Sequence, residues 1–402
     1  MRCTRRVSED VIWVGADERR QALFEAVYPV PRGMAYNSYL ILDEKCTLID
    51  TVDRAVTDIF LENIEATLST RTLDYLVVQH AEPDHSATLF DIIAKYPDCT
   101  VVCNKKTYEM LHAFKNKAPK VHIVEDGETL SLGRHELKFI FAPMVHWPEV
   151  MVSFDQTCGT LFSADAFGAF GALGGALFAD EVDLDSGYID EMRRYYCNIV
   201  GKYGMAVQSL LSKMRTLDIR TICPLHGFVW REKIDLIVNK YLLWSAYKPE
   251  KRGVMIAYAS VYGNTEEVAN ALACRLYELG VECALYDVSA SDLSHVLAEA
   301  FKYSHLVFAS VTYNGTAFAA MEHLLSDIVN HGLKNRNIAL IENGSWSPKA
   351  ARRMREILAP MKGIRFVSDD LSFKSAMHQD ADSKIKKLAD VLASTVKEND
   401  YF

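Results

Sequence analysis

The change of rhythm across YKPEKRG (247–253) constrains this chain more than any other feature. Beyond it, continuous apolar runs of strand length alternate with amphipathic helical stretches. GVMIAYAS (253–260), VECALYDV, HLVFASV, NIALIEN and GIRFVS supply the runs, and TEEVANALACRLYELG closes the first helical stretch at Gly280. Runs that are apolar at nearly every position bury both faces, so they predict a parallel sheet covered by helices on either side. Five such strands in about 150 residues predict a doubly wound domain over 253–402. Before the break the strands are shorter and many are joined by hairpin-length turns: SYLILDEKCTLIDT, DYLVVQH, TVVCN, KVHIVED, HELKFIFAP and MVSFDQTCGTLFSAD. Helical segments fall near 54–68, 86–96 and roughly 187–216. Mixed strands with helices outside predict an αββα sandwich over 1–248, and two domains suit a length of 402 residues.

Composition narrows the function classes. A formal net charge of -9 argues against a nucleic-acid binder, which shows a basic surplus or stripe. The N-terminal MRCTRRVSEDVIWVG lacks the apolar core and cleavage site of a secretory signal. The longest apolar run, AFGAFGALGGALFA (166–179), is Gly-rich, bracketed by Asp165 and Asp180 and too short to span a bilayer. No membrane partner is therefore expected. The nine cysteines are scattered, odd in number and without a C-x-x-C pair, which suits reduced thiols in a cytoplasm. They give no sign of a disulfide framework or a thiolate metal site.

Metal-ligating residues concentrate in one stretch, QHAEPDHSAT (79–88). DYLVVQH reads as a buried strand ending at His80, so Glu82, Asp84 and His85 sit on the loop at its C-terminal end, where sites in α/β sheets form. Alternate side chains at 80, 82 and 84 converge on one side while His85 points elsewhere, which suits two metals. The plain structural alternative is a helix N-terminus capped by Asp84 or Ser86. Three more strand ends each add a single ligand type: His146 in FIFAPMVHWP, Asp165 in TLFSAD and His226 in TICPLHG. His112, His122, His135, His295, His305, His323, His331 and His378 fall outside these segments and read as surface or core residues.

With the ligands in this order, the N-terminal half resembles the metallo-β-lactamase superfamily, whose hydrolytic members carry H-x-H-x-D-H and bind zinc. Here Glu82 replaces the second histidine. The H-x-E-x-D-H variant, the downstream His, Asp and His, and VHWPE and SADAFGAFGAL together resemble the flavodiiron proteins (A-type flavoproteins) over essentially the whole chain. Ala87 departs from the glycine often found after DHS and leaves the ligands untouched. The resemblance implies that His80, Glu82 and His146 bind one iron, Asp84, His85 and His226 the other, and that Asp165 bridges them. A carboxylate in place of an imidazole adds negative charge and a harder donor, which favours iron over zinc.

The second constellation is YASVYGNTEEVA (258–269), placed between a strand and a helix. Ser260, Val261, Tyr262, Gly263, Asn264 and Thr265 bring hydroxyls, a flexible glycine and N–H groups to a helix N-terminus, a combination that cradles a phosphate. A plain strand-to-helix turn capped by Thr265 is the alternative. The string is similar to the flavodoxin phosphate loop. In that fold Thr312, Tyr313, Asn314 and Gly315, and then Asn343, Gly344, Ser345 and Trp346, occupy the loops flanking an isoalloxazine ring. Surface packing alone also accounts for Trp346. Nothing implies an adenine pocket, so FMN is favoured over FAD or NAD.

The resemblance thus implies a terminal reductase that takes electrons at FMN and reduces O2 to water, or NO to N2O, at a non-haem diiron site. It also implies a head-to-tail homodimer, alone or as part of a tetramer. A separate donor such as rubredoxin is expected, because no cysteine-rich module follows VKENDYF. The competing reading is a zinc hydrolase of the metallo-β-lactamase superfamily with a regulatory flavodoxin module, against which Glu82 speaks.

Overall fold

In the computed structural model, which describes residues 3–114, 119–378 and 380–398, the short N-terminal strands pair into two mixed sheets. The first runs in chain order through β1 (Arg5–Arg6), β2 (Val11–Trp13), β3 (Tyr39–Ile41), β4 (Thr47–Ile49), β5 (Tyr75–Val77), β6 (Thr100–Cys103) and β7 (Val121–Ile123). Its first four strands pair antiparallel, and the pairs from β4 to β7 are parallel. The second contains β8 (Thr129–Ser131), β9 (Glu136–Phe141), β10 (Met151–Asp155), β11 (Thr160–Phe162) and β12 (Thr221–Cys223), antiparallel until β12 joins β11 in parallel. Residues from β2 to β4 and from β10 and β11 are buried along their whole length, because helices cover the outer faces. Helix Thr57–Leu68 shows how one is held. It buries Phe60, Asn63, Ile64 and Leu68, and the Asn63 amide donates to the carbonyls of Val14 and Gly15 at 3.2 and 3.0 Å.

The C-terminal apolar runs form β13 (Lys251–Ala259), β14 (Cys283–Asp287), β15 (Tyr303–Tyr313), β16 (Arg336–Asn343) and β17 (Ile364–Phe366). Their spatial order is β14-β13-β15-β16-β17, all parallel, which is the flavodoxin-like doubly wound order. A further strand, Leu371–Phe373, pairs with β16 beyond β17. Helices Asn264–Glu278 and Ala381–Lys397 bury Val268, Leu272, Ile385, Leu388 and Leu392 against one face of the sheet. The fold class expected from the strand rhythm is the one observed.

The chain divides into two compact units, one running to Tyr196 and resuming over Met205–Leu242, the other comprising Cys197–Gly204 and the chain from Leu243. The helical block expected at 187–216 is observed over Tyr188–Met214, with a π-helical turn at Tyr196–Val200 and a 3-10 turn at Gly201–Tyr203 between its two α-helical parts. The intervening turn belongs with the second unit, where the Tyr247 hydroxyl donates to Gly201 O at 2.9 Å and the Asn198 amide to Ser294 O at 3.2 Å. The apolar run at 166–179 is mostly buried turn, and no helix among the described residues is long and apolar enough to cross a membrane.

One buried group in β15 makes stability pH-dependent. His305 is fully buried, with Nδ1 2.9 Å from Ser304 Oγ and Nε2 3.0 Å from Thr395 Oγ1. Burial pushes its pKa down to about 4 from 6.5. The unfolded chain therefore binds a proton that the folded chain refuses. Stability is full above pH 6.5 and falls toward pH 4, by about 3 kcal/mol at 1.36 kcal/mol per unit. Urea melts of the flavodoxin-like unit at pH 7.5, 6 and 5 should show this loss, and His305→Gln should flatten it. An equal slope in the variant refutes the assignment.

Candidate functional site

Each ligand-bearing segment leaves the end of a buried strand. β5 continues through Val78 and Gln79 into His80, and the Asp50 carboxylate fixes this exit by accepting the Gln79 backbone and side-chain N–H groups at 2.8 and 2.9 Å. Glu82 then occupies the N-cap position of the one-turn helix Pro83–Ser86 without making a cap hydrogen bond. Proline at the first helical position presets the turn, so the Glu82 side chain is left to face the site. Neither residue of the capping alternative caps. Ser86 donates to Ala81 O at 2.7 Å, and both Asp84 carboxylate oxygens are buried without a hydrogen-bond partner.

The seven residues named from the sequence converge as two sets. Ligand atoms of His80, Glu82, His146 and Asp165 lie within 4.8 Å of one another, and so do those of Asp84, His85 and His226. Asp165 joins the sets. Its Oδ2 lies 3.4 Å from His80 Nε2 and 3.1 Å from His146 Nε2, while Oδ1 lies 3.1 Å from His85 Nε2 and 3.7 Å from His226 Nε2. Glu82 Oε2 is 3.0 Å from His80 Nε2 and 3.2 Å from His146 Nε2. Asp84 Oδ2 stands in the same relation to the second set, at 3.3 Å from His85 and 3.2 Å from His226.

The electrostatics are those of a cavity made for cations. Burial opposes charge on the histidines, yet the carboxylates outweigh it. His85, beside Asp84 and Asp165, and His146, beside Asp165 and Glu82, are both raised to about 9. Burial likewise opposes ionisation of Asp165, but His85, His146 and His80 hold its carboxyl well below the usual range. Positive charge is needed here, and metal ions supply it by displacing protons from the ligands.

The fit to a metal pair rests on orphaned atoms. Asp84 Oδ1 and Oδ2, both nitrogens of His85, Asp165 Oδ1 and His226 Nε2 are buried with no hydrogen-bond partner. Each such atom costs roughly 1–3 kcal/mol, and all of them lie on residues that offer metal ligands. Four imidazoles and three carboxylates with no thiolate suit iron, the carboxylates favouring the ferric and the imidazoles the ferrous state.

Sequence reasoning missed the groups that aim these ligands. Glu149 is fully buried on its side chain and lies 2.7 Å from His80 Nδ1, and its Oε1 also accepts the Ala81 N–H at 2.9 Å. The Ala35 carbonyl lies 2.7 Å from His226 Nδ1. Each partner leaves Nε2 directed inward, the arrangement that fixes a metal-binding imidazole. The available signal for Glu149 was its place three residues after His146 in VHWPE. Replacing Glu149 with glutamine should weaken iron retention about 10–100-fold. Competition with a chelator measures this, and unchanged retention refutes the role. Aromatic rings close the wall: Trp147 meets His80 edge-on at 5.2 Å, and Phe24 and Tyr36 meet His226 at 5.4 and 5.6 Å.

In the flavodoxin-like unit, the loops after β13, β15 and β16 enclose a cavity of about 410 Å³ at the point where the strand order reverses. Ser260, Val261, Tyr262, Asn264, Thr265, Thr312, Tyr313, Asn314, Gly315, Asn343, Gly344, Ser345 and Trp346 all line it. Gly263 lies at the N-cap of helix Asn264–Glu278 with φ 89°, and its N–H donates to Ser260 Oγ at 3.1 Å. That turn aims the first N–H groups of the helix at the cavity. Thr312 Oγ1 accepts the N–H groups of Lys349 and Ala350 at 2.8 and 3.2 Å. A Cβ on Gly344 would come within 3.1 Å of the Pro348 backbone and 3.2 Å of the Thr312 side chain, so these loops approach closely at the glycine. Asn343 turns out to be a brace, since its amide bonds Ser375 N and O, both at 2.9 Å. Tyr262 and Trp346 are 92% and 87% exposed at the rim. A hydroxyl-rich helix N-terminus below and two exposed rings above fit a phosphate-bearing planar cofactor. Ser347, Lys349 and Ser375 also line the cavity and were not anticipated.

An αββα unit with paired histidine–carboxylate sets, followed by a flavodoxin-like unit with a phosphate cradle, defines a class of two-domain metalloflavoproteins. Residues 34–227 match the model of the ODP family beta lactamases. The anaerobic nitric oxide reductase flavorubredoxin of Klebsiella pneumoniae is 31% identical over 87% of this chain and 73% of its own. Rubredoxin oxygen:oxidoreductase from the anaerobe Desulfovibrio gigas superposes with a TM-score of 0.92 at 27% identity, covering 98% of both chains. The flavodiiron protein of Giardia intestinalis does so at 0.91 and 28%, with the same coverage. The chain belongs to the flavodiiron protein family.

Proposed function

We propose that this chain is a flavodiiron terminal reductase, taking electrons at FMN and reducing O2 to water or NO to N2O at a diiron centre, in defence against oxidative and nitrosative stress. The observation that carries the reading is Asp165, whose two carboxylate oxygens each face a different histidine–carboxylate set. In this reading His80, Glu82 and His146 would hold one iron, Asp84, His85 and His226 the other, and Asp165 would serve both. When bound, the irons would supply adjacent redox-active Lewis acids for a diatomic gas, and FMN would supply stored electrons.

The protein's own part is positioning and exclusion. Glu149 and the Ala35 carbonyl hold the Nδ1 protons of His80 and His226, so both rings present Nε2. Trp147, Phe24 and Tyr36 keep bulk water from the histidines. In the cavity, Ser260 to Thr265 would hold the phosphate and Tyr262 and Trp346 would contact the ring. The names of the Klebsiella and Desulfovibrio relatives support nitric oxide and oxygen as the two substrates to test and a rubredoxin-type protein as donor. The same reading includes a head-to-tail homodimer working in the cytoplasm.

Anaerobic stopped-flow of the reduced, iron- and FMN-loaded protein against O2 and NO separately tests the proposal. Rapid reoxidation by at least one is expected, and reoxidation by neither, with both cofactors bound, would sink it.

A further inference from the structure

A third group of ligand-type side chains lies away from both sites. Ligand atoms of His135, Asp155 and Cys158 fall within 4.8 Å of one another. Asp155 ends β10 and Cys158 sits in the turn to β11, whereas the seven-residue cluster lies at the other ends of these strands. The separation is about one strand length, on the order of 15 Å. We propose that His135, Asp155 and Cys158 form a separate cation site for a thiolate-accepting divalent ion of the zinc class.

The donors are preset. Asp155 Oδ1 is taken by the Thr157 N–H at 3.0 Å, which leaves Oδ2 facing His135 Nδ1 at 2.6 Å and Cys158 Sγ at 3.1 Å. Gly159, at φ +72°, donates its N–H to Asp155 O at 2.9 Å and holds the turn over the strand end. Asp10 Oδ2 lies 3.3 Å from His135 Nε2, the carboxylate partner that orients a zinc-bound imidazole from behind. His135 and Asp155 are buried while Cys158 is half-buried, so an ion has an entry path. Sulfur, imidazole nitrogen and carboxylate oxygen, with water as fourth ligand, match the tetrahedral preference of zinc.

The proton balance favours exchange. Without metal, both ring nitrogens of His135 face carboxylates, Nδ1 at 2.6 Å from Asp155 Oδ2 and Nε2 at 3.3 Å from Asp10 Oδ2. Imidazolium, carboxylate and thiol then sum to zero charge. On binding, one proton leaves Nδ1 and one leaves Sγ, bonds form from the ion to N, S and O, and the dication restores the sum to zero. The buried hairpin end therefore accepts the ion without a net change in charge, and Asp10 keeps its Nε2 proton throughout. The absence of a C-x-x-C pair hid this site, because its thiolate is supplied as D-x-x-C with the histidine in the turn that leads into the neighbouring strand.

Cobalt(II) is the probe, added to reduced protein already loaded with iron and FMN. Wild type should develop a thiolate-to-cobalt charge-transfer absorption saturating at one equivalent. Cys158→Ser and His135→Gln should lose it while keeping iron, FMN and turnover. The seven-residue cluster contains no sulfur and cannot produce this band. Should a variant fail to fold, zinc protection of Cys158 against iodoacetamide in wild type, read by peptide mapping, decides the matter. No thiolate band in wild type, a band surviving in Cys158→Ser, or no protection by zinc each overturns the site.

Discussion

Replacing Asp165 with asparagine should reduce bound iron from two per chain to one or none and lower O2 and NO consumption at least ~10²-fold. The lower bound follows because losing a partner that merely orients a ligand already costs about 10–100-fold, and Asp165 is the one side chain shared by both sets. Its Oδ2 serves His80 and His146 and its Oδ1 serves His85 and His226, at 3.1–3.7 Å. An amide presents one oxygen and one N–H edge, so it serves one set and turns a donor toward the other. The lost anion matters as well, since the carboxylates are what draw positive charge into a largely buried pocket. FMN content should stay at the wild-type level, because the 410 Å³ cavity lies wholly in the other unit. Iron analysis, flavin absorbance and gas-electrode assays on one preparation separate these effects. Two irons with undiminished turnover in the variant would remove Asp165 from the centre of the mechanism.

What was legible in the sequence follows from how each element gets its stability. The central strands β13, β15 and β16 are apolar almost throughout because both faces of the parallel sheet are covered there, and that signal is local. Helix Lys105–Phe114 escaped notice because it buries only Thr107 and Leu111, too little for an apolar stripe. The hairpins Ala16–Glu18/Met34–Tyr36 and Leu23–Phe24/Tyr28–Pro29 were missed for a similar reason, their strands being two or three residues long. The change from α- to π- and 3-10-helical turns at 196–203 is held by Tyr247, more than forty residues away, so no window around it carries the signal. At the site, the seven convergent residues were visible because strand ends announce their ligands. Glu149 and the Ala35 carbonyl were not, since an orienting partner need only lie behind a ring, and the fold brings Ala35 to His226 from 191 positions away.

Glu82→His should convert the metal preference while leaving the fold intact. Glu82 Oε2 lies between His80 Nε2 and His146 Nε2 at 3.0 and 3.2 Å, and both histidines hold its carboxyl well below the usual range against burial. An imidazole at this position offers a neutral nitrogen donor of similar reach, so one negative charge and one hard oxygen leave the site. Fewer anionic oxygen donors stabilise ferric iron less, and a nitrogen-richer set raises the competitiveness of zinc. Protein grown with both metals available should therefore bind zinc in place of iron, and O2 and NO consumption should fall by on the order of 10²–10³, because zinc has no accessible second oxidation state. The side chain is 13% exposed, so the larger ring has room at the rim and the melting temperature should change little. The resulting H-x-H-x-D-H string is that of the hydrolytic relatives, which makes metal content the readout that separates the two chemistries. A variant that keeps two irons and full turnover would show that the ligand change from histidine to glutamate is not what commits this chain to iron.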